Sequence, residues 1–476
     1  MSAKKFNRLL PILIAVLAVV LAVLLGVVIF LGVSQNSAAD PTGTTAALTE
    51  PPTDPPTDPP TEPPTEPPTE PPTEPPVVDE ELMPMGELHI TAKGTISDEY
   101  GNATVSLQWE GSQIEEQTAR IRTRGYSSAM TSKKSYNIKF DSKVSPMGLD
   151  EGKKWTFLGT PYDKSLLRSV IGFEYAQRIG LNYTSEIRFV KVYLNNKYRG
   201  VYLMVEPIDI DPGRVEIDKD HDDFIIERNR SRTETGVRYI TTKAGFRFEM
   251  SDPDEMTKEE ANRYLAVLNE IEALIKTKDH TQYETRVNVQ SFVDFYIFHE
   301  LIKDIDFGRF STRYYVKDGI LHAGPVWDFD LSMGNISNEY SETVYKRYWN
   351  RDGQGNGSND STQGLWVNGD WYKWLCKDEY FMDLVEKRWQ ELRPVTENIF
   401  RDNELGKNAI DRYMEVYQED FISNYSKNGA NWALTYPITQ LAYRKPAKTF
   451  PGNVEQLRTW LDQRMAWLDG QFGTGE

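Results

Sequence analysis

The sequence predicts an α+β domain whose strands come mainly before its helices, preceded by an apolar segment and a proline-rich stalk. Apolar and polar residues alternate with a period of two early in the domain, and apolar residues recur at spacings of three and four in its last third. Sixteen of the 27 prolines lie in residues 1–77. These changes predict four parts: a tail at 1–8, a transmembrane helix at 9–33, a stalk at 34–77 and a folded domain at 78–476.

The apolar segment begins at Leu9, ends at Val33 and contains no charged residue. A run of that length can span roughly 30 Å of hydrocarbon. Three basic residues precede it, and the next Lys or Arg is Lys93. This asymmetry predicts a single-pass protein of the cell membrane with a cytoplasmic N-terminus and an extracytoplasmic domain. The alternative is a cleavable signal peptide, with a small-residue cleavage region at 37–39.

Residues 51–76 consist of six PPT[D/E] repeats and a closing Pro-Pro. Proline fixes φ and lacks an N–H, so this part of the stalk should adopt extended polyproline II. At about 3.1 Å per residue it would reach roughly 80 Å. A spacer of that length can carry a domain through a thick cell wall, so we expect a Gram-positive cell surface.

The folded domain is predicted to begin with strands, since SYNIKFD and similar runs alternate apolar and polar residues. The predicted strands are 87–92, 104–109, 119–124, 135–141, 312–316 and 320–326. A hairpin is expected around Asn195 and Asn196, between two alternating runs. The first predicted helix follows Asp163, reaches Arg178 and is ended by Gly180. The other predicted helices are 257–276, 289–302, 381–392 and 453–470.

Composition excludes several classes of protein. The single cysteine, Cys376, excludes an internal disulfide framework and any zinc site with several cysteines. The net charge of −17 argues against a nucleic-acid partner, because phosphate backbones require Lys and Arg. The sequence contains no GxxxxGK[ST], GxSxG or HExxH motif, and its five histidines lack metal-ligand spacing. Any chemistry must therefore depend on carboxylates, Lys and Arg.

An acidic constellation lies at 304–335, DIDFGRFSTRYYVKDGILHAGPVWDFDLSMGN. Asp304 and Asp306 follow a predicted helix. If residues 326–331 were extended, Asp328 and Asp330 would point to the same side. Grouped carboxylates form a hard-oxygen site suited to Mg²⁺. Solvated turn acids are the alternative interpretation.

A basic loop lies upstream of the acidic constellation. It combines cations with small residues: Arg122, Arg124, Gly125, Ser127, Ser128, Lys133 and Lys134. Backbone N–H groups and fixed cations both favour phosphate, so the loop is a candidate phosphate cradle, with an ordinary surface turn as the alternative. Metal-binding carboxylates together with a phosphate-binding lysine are typical of phosphoryl transfer.

Several segments of the chain resemble the CotH kinase family of atypical protein kinases. RTRGYSSAMTSKKSYNIKFD is similar to the family's RGNSS…KKSY segment, and VYLNNKYRGVYLMVEPI to its hairpin. The segment DKSLLRSVIGFEYAQRIG is similar to a helix of the family that carries an LLRN motif. DIDFGRFSTRYYV and GPVWDFDLSMGN resemble its NxDG and GPxWDxD core, and LRTWLDQRMAWLD its last helix. The resemblance extends over about 90–470, in the family's order.

The resemblance implies an atypical protein-kinase-like fold and transfer of phosphate from ATP, with Mg²⁺ or Mn²⁺, to Ser of a surface or secreted protein. Asp306 matches the catalytic acid and Asp328 the metal-binding acid, and Asp330 would share the ion. The residues implied to bind the nucleotide or to orient such a residue are Lys134, Lys133, Arg124, Arg168 and Glu206. Asp306 is a further metal contact in this interpretation.

The chain departs from the family pattern at three positions. Asp304 and Tyr126 stand where the family has Asn, and Ser311 stands where some members carry Asn. A second hypothesis therefore remains open. The protein could keep the fold without the chemistry and bind cell-wall glycan, a host surface or an envelope partner through its aromatic residues.

Overall fold

The computed structural model describes residues 82–125, 128–229, 237–253, 255–335, 362–434 and 446–475. The predicted apolar segment at 9–33 and the predicted stalk at 34–77 lie outside these residues. Tyr126 and Ser127 of the basic loop also lie outside them.

The first seven strands form a closed barrel with the order β1-β2-β3-β4-β5-β7-β6. β1 pairs with β6 in parallel and closes the barrel, whereas the other neighbours are antiparallel. The strands are β1 Gly86–Ala92, β2 Gly101–Trp109, β3 Ser112–Arg124, β4 Ser135–Val144, β5 Gly152–Leu158, β6 Ile187–Leu194 and β7 Lys197–Val205.

Alternating apolar residues fill the barrel, because successive side chains of a strand point to opposite faces. Leu88, Val105, Ile138 and Trp155 are each at most 1% exposed and belong to one apolar cluster. The predicted hairpin is confirmed: β6 and β7 are joined by Asn195 and Asn196, which both have positive φ. Two-residue turns of this kind favour Asn and match the twist of the strands.

A second, antiparallel sheet has the order β12-β11-β8-β10-β9. Its strands are β8 Phe224–Arg228, β9 Tyr239–Thr241, β10 Arg247–Asp252, β11 Arg313–Lys317 and β12 Ile320–Ala323. The sequence predicted β11 and β12 but missed β8, β9 and β10. The loops on either side of the β11–β12 hairpin carry the acidic constellation.

Helix α1, Arg168–Arg178, lies in the chain between β5 and β6. The later helices are α2 Lys258–Thr277, α3 His280–Tyr283, α4 Val289–Ile302, α5 Tyr372–Leu375, α6 Glu379–Glu397, α7 Ala409–Tyr425 and α8 Phe450–Phe472. Thr257 and Glu260 form a capping box at the start of α2. From Ser291 to its end, every residue of α4 is buried, so α4 is a core helix of the domain.

The predicted fold is wrong as stated. We expected a kinase-like fold with a strand-rich N-terminal part and a helical C-terminal part, preceded by one transmembrane helix. The N-terminal strands instead close into a seven-stranded barrel, and the chain adds a second five-stranded sheet of which only the β11–β12 hairpin was predicted. Among the described residues, no helix has both the length and the apolar character needed to cross a membrane. Barrel closure depends on pairing between β1 and β6, about 100 residues apart, which no local pattern records.

Candidate active site

The loop after α4 carries two of the four predicted carboxylates. The chain leaves α4 at Lys303, which has φ 45°. Asp304 is 2% exposed, and its Oδ1 accepts a hydrogen bond from the backbone N–H of Asp306 at 3.0 Å. The indole N–H of Trp366 donates to the carbonyl oxygen of Asp304 at 2.6 Å. These bonds hold the half-buried Asp306 at the first turn beyond the helix.

The other two carboxylates lie in the loop after β12. The expected extended segment over 326–331 is wrong, because β12 ends at Ala323 and Asp328 has φ 73° in the left-handed region. Alternation therefore does not orient this pair, and Asp328 is exposed whereas Asp330 is half-buried. The hydroxyl of Ser311 donates to Oδ2 of Asp328 at 3.3 Å, which joins this loop to the one after α4.

Phe329 anchors the loop between its two carboxylates. Its ring is fully buried and lies 5.0 Å from the ring of Phe173 and 5.4 Å from that of Phe298. Gly172 of α1 makes this contact possible, because a Cβ there would lie 2.4 Å from the Phe329 ring. With Phe329 held inside the core, the neighbouring Asp328 and Asp330 are kept at its boundary.

We call Asp304, Asp306, Asp328 and Asp330 the acid cluster. Burial raises the pKa of Asp304 well above its usual range, and the carboxylate of Asp306 raises it further. Burial and then the charge of Asp328 raise the pKa of Asp306 to about 7. Burial and Asp328 also raise the pKa of Asp330 well above its usual range. The two loops therefore bring the four predicted acids within electrostatic reach of one another.

The donor set of the acid cluster fits a divalent cation that is shared with phosphate. Carboxylates raised in pKa by like charges regain their anionic form when a cation is bound. Among the described residues, no three His, Cys, Asp or Glu side chains converge closely enough to hold a metal ion on their own. Mg²⁺ is usually held by one or two carboxylates with substrate phosphates and water, so such a cage is not required.

A group of buried cations lies on the α1 side of the acid cluster. Lys133 is 3% exposed, and its Nζ donates to the carbonyl oxygen of Val201 at 2.7 Å. Lys164 is 7% exposed, and its charge is the first of the charged groups that act on Lys133. Burial lowers the pKa of Lys133 to about 7 and that of Lys164 to about 8. Asp163 acts on both lysines and also on Asp330, so this group adjoins the acid cluster.

A second cationic group surrounds Trp327. The guanidinium carbon of Arg124 lies 4.8 Å from the Trp327 ring centre, and that of Arg313 lies 5.7 Å from it. Arg313 also forms a 2.7 Å ion pair with Glu227. Burial lowers the pKa of Arg124 to about 10, and Asp328 is the strongest charge that opposes this shift. Arg124 of the basic loop therefore lies within electrostatic reach of the acid cluster.

Two other residues that were predicted to bind the nucleotide, or to orient a residue that does, make contacts elsewhere. Lys134 donates to the carbonyl oxygen of Ala129 within its own loop. Glu206 accepts the backbone N–H of Glu186 at 3.2 Å, and burial raises its pKa to about 7. No described ion pair joins Glu206 to Lys133 or Lys134.

Arg168 serves the core of the domain. Its guanidinium forms a 2.6 Å ion pair with Asp163 and donates to the carbonyl oxygens of Ser332 and Met333. The sequence left two roles open for Arg168, phosphate binding and structural support. Its contacts join the start of α1 to the loop after β12.

Sequence reasoning missed Asp163, Lys164, Glu227 and Arg313. Asp163 was visible only as a polar residue before α1, and Lys164 as its neighbour. Both side chains are buried. Two adjacent charged residues that are buried just before a helix are the signal by which a prediction of burial could have found them. Glu227 lies on β8, which the sequence did not predict, so its pairing with Arg313 could not be anticipated.

Comparison with known families matches residues 121–468 to the family described as CotH kinase protein. The chain belongs to the CotH kinase family. The match covers β3 to α8 and includes both loops of the acid cluster, which confirms the resemblance of the sequence motifs. No curated protein matched the chain. Membership in this CotH kinase family suggests a kinase-like function.

Proposed function

We propose that this protein transfers the γ-phosphoryl group of ATP to a serine hydroxyl of a secreted or surface protein. The observation that carries the proposal is the acid cluster, in which burial and mutual repulsion raise the pKa of three carboxylates beside buried lysines. Such a site favours a ligand that supplies both a divalent cation and phosphate. Mg·ATP has this composition.

Asp328 and Asp330 would hold Mg²⁺ or Mn²⁺, with Asp306 as a further contact. When bound there, a divalent cation would supply neutralisation of the charge on the phosphates. Lys133 is the better candidate of the two adjacent lysines for a phosphate contact, because the side chain of Lys134 is turned to Ala129. The contribution of the protein is therefore mainly positioning and charge complementarity.

Asp306 is the proposed general base. The acceptor hydroxyl oxygen forms a bond to the γ-phosphorus, the bond from that phosphorus to the β–γ bridging oxygen breaks, and Asp306 accepts the hydroxyl proton. ADP is the leaving group. A pKa of about 7 suits a base that works near neutral pH, and the backbone bond to Asp304 holds it in position.

The location outside the cytoplasm is also part of the proposal. It rests on the acidic, proline-rich repeats at 51–76, which have the composition of an extended spacer. A spacer of this kind suits a domain that meets its acceptor at a distance from the cell surface.

Calorimetry of the full-length chain with ATP and Mg²⁺ or Mn²⁺, followed by a phosphate-transfer assay, tests the function. Asp328→Asn should abolish metal-dependent ATP binding and transfer, while Asp383→Asn, an exposed acid on α6, should leave both unchanged. A flat calorimetric trace from folded wild-type protein would contradict the proposal and favour a surface-binding protein without kinase chemistry.

A further inference from the structure

The outer face of β3 carries an arginine at every second position. Side chains alternate along the strand, and Ala119 and Ile121 point into the apolar core of the barrel. Arg120, Arg122 and Arg124 therefore lie on the opposite face, where Arg120 is exposed and the other two are half-buried. A strand rises about 3.4 Å per residue, so these three cations form a line about 14 Å long.

One end of this line adjoins the acid cluster. The guanidinium carbon of Arg124 lies 4.8 Å from the ring centre of Trp327, the residue just before the first carboxylate of the loop after β12. The ring of Tyr100 supports the rest of the line, since the guanidinium carbons of Arg122 and Arg120 lie 4.5 Å and 5.4 Å from its centre. The two aromatic rings hold the guanidinium groups in place and leave their charge uncancelled.

The other end of the line widens into a row of cations across three strands. The strand register places Arg120 opposite Lys139 of β4, and Lys139 opposite Lys154 of β5. Like charges that are directly opposite one another destabilise a sheet. A cavity of about 310 Å³ opens beside the row and is lined by both Lys139 and Lys154. The row therefore faces open space, where a ligand can reach it.

Most of this positive charge lacks a partner within the part of the chain that the structure describes. Lys154 forms a 3.0 Å ion pair with Asp209, but Arg120, Arg122 and Lys139 form no ion pair with a described residue. Each of the three acids that line the cavity already pairs with a lysine. The chain as a whole carries a charge of −17, so this surface runs against its composition. We call Arg120, Arg122, Lys139 and Lys154 the cationic strip.

We propose that the cationic strip binds an acidic segment of the acceptor protein and so places the acceptor serine at the acid cluster. This inference rests on the proposed function and names its substrate class, a protein with several Asp or Glu residues close to the serine. The line of arginines is continuous with the acid cluster, which favours a segment of the acceptor over a separate polymer. An extended peptide spans about 3.3 Å per residue, so the acids should begin about four residues from the serine.

Peptide binding without nucleotide tests the cationic strip by itself. One labelled peptide has a serine followed by a block of four glutamates that begins about four residues away, and a second has the same block before the serine. A matched peptide has glutamines instead. Fluorescence anisotropy with the full-length chain should show that one glutamate peptide binds about tenfold or more tightly than the glutamine peptide. This advantage should shrink when salt is raised from about 50 mM to about 500 mM, because ions screen exposed charges.

Substitutions in the strip connect this binding to its residues. Arg120→Gln and Lys139→Gln should each weaken binding of the glutamate peptide about two- to fivefold, and the double variant about tenfold or more. Lys387→Gln, at an exposed lysine on α6, should bind as wild type does. Lys139→Gln removes a like-charge contact, so it should unfold at the same temperature as wild type or higher. Equal binding of the glutamate and glutamine peptides, or unchanged binding by the folded double variant, would overturn the proposal.

Phosphate transfer to the same peptides separates the cationic strip from the reaction. The glutamates should lower the KM for the peptide and leave kcat within about twofold, and Arg120→Gln should raise that KM. Binding of the glutamate peptide without transfer would contradict the kinase reaction and leave the strip in place. Transfer with the same KM for both kinds of peptide would overturn the strip alone. Tighter binding of poly(glycerol phosphate) than of the glutamate peptide would also overturn it, in favour of an anionic polymer.

Discussion

Buried charge is compensated at Glu300 in α4 but not in the acid cluster that follows this helix in the chain. Glu300 and Arg464 are both 0% exposed and form a 2.7 Å ion pair. The Glu300 carboxylate also accepts the backbone N–H groups of Trp366 and Val367 at 2.6–2.9 Å. Every oxygen of this buried acid has a donor.

The acid cluster has far fewer protein donors. Asp304 accepts one backbone N–H, and Asp328 accepts one hydroxyl. The pKa values of Asp304, Asp306 and Asp330 are raised first by burial and next by the charge of another carboxylate. The comparison shows that burial alone does not identify a functional acid. A compensated charge holds the fold together, whereas a group of uncompensated charges leaves room for a cation from outside.

The largest effect is expected from breaking the compensated pair. Arg464→Met or Glu300→Leu alone should lower the free energy of unfolding by about 3–5 kcal/mol, because each leaves a buried, unpaired charge. The double variant Glu300→Leu/Arg464→Met should recover part of that loss. Urea unfolding of the four proteins measures these differences.

A surface pair provides the control for this experiment. Arg286 and Glu270 form a 2.7 Å ion pair in which Glu270 is 56% exposed. Removal of that pair should cost no more than about 1 kcal/mol. If Arg464→Met lowered the free energy of unfolding no more than Arg286→Met does, the distinction between compensated core charge and surface charge would fail.

His299 sharpens the comparison, since it is buried beside Glu300 without a charge. It is 3% exposed, lies among three phenylalanine rings, and neither ring nitrogen has a hydrogen-bond partner in the described residues. Burial lowers its pKa to about 3. The unfolded chain therefore binds one more proton than the folded protein between about pH 3 and pH 6.5.

This difference predicts that stability falls as the pH drops through that window. His299→Leu removes the effect, so at pH 5 the variant should gain about 2 kcal/mol over wild type relative to their difference at pH 8. Urea unfolding at the two pH values measures it. Parallel pH dependences of the two proteins would mean that His299 is not buried as a neutral ring.

The smallest effect is expected at Asp304. An Asn there can accept the same hydrogen bond from the Asp306 N–H and adds no charge to the acid cluster. Because burial already disfavours the charged form of Asp304, Asp304→Asn should change the free energy of unfolding at pH 7 by less than about 1 kcal/mol. ATP affinity should stay within about twofold.

Asp306→Asn is the matched comparison for Asp304→Asn. It should bind Mg·ATP but lose phosphate transfer, since the amide cannot accept the hydroxyl proton. Equal loss of transfer in both variants would show that the acid cluster works as one unit and that Asp304 is not a neutral support.

Local sequence signals were sufficient for the elements that depend on neighbours in the chain. The alternation of β4, the Asn195-Asn196 turn and the apolar helix α4 were all predicted near their observed bounds. The residue types of the acid cluster were also visible, because four acids in two short segments need no structure to be noticed. The family resemblance came from the same segments.

Tertiary structure decided which charges face one another. Glu206, the predicted partner of the basic-loop lysine, accepts instead the backbone N–H of Glu186, while the charge of Lys164, 31 positions along the chain, acts on Lys133. The left-handed Asp328 and the closure of β1 on β6 also follow from long-range packing. The sequence by itself determined the elements and the kinds of charge, since both depend on local composition. Only the tertiary structure decided which charges are compensated, because that depends on groups brought together from distant parts of the chain.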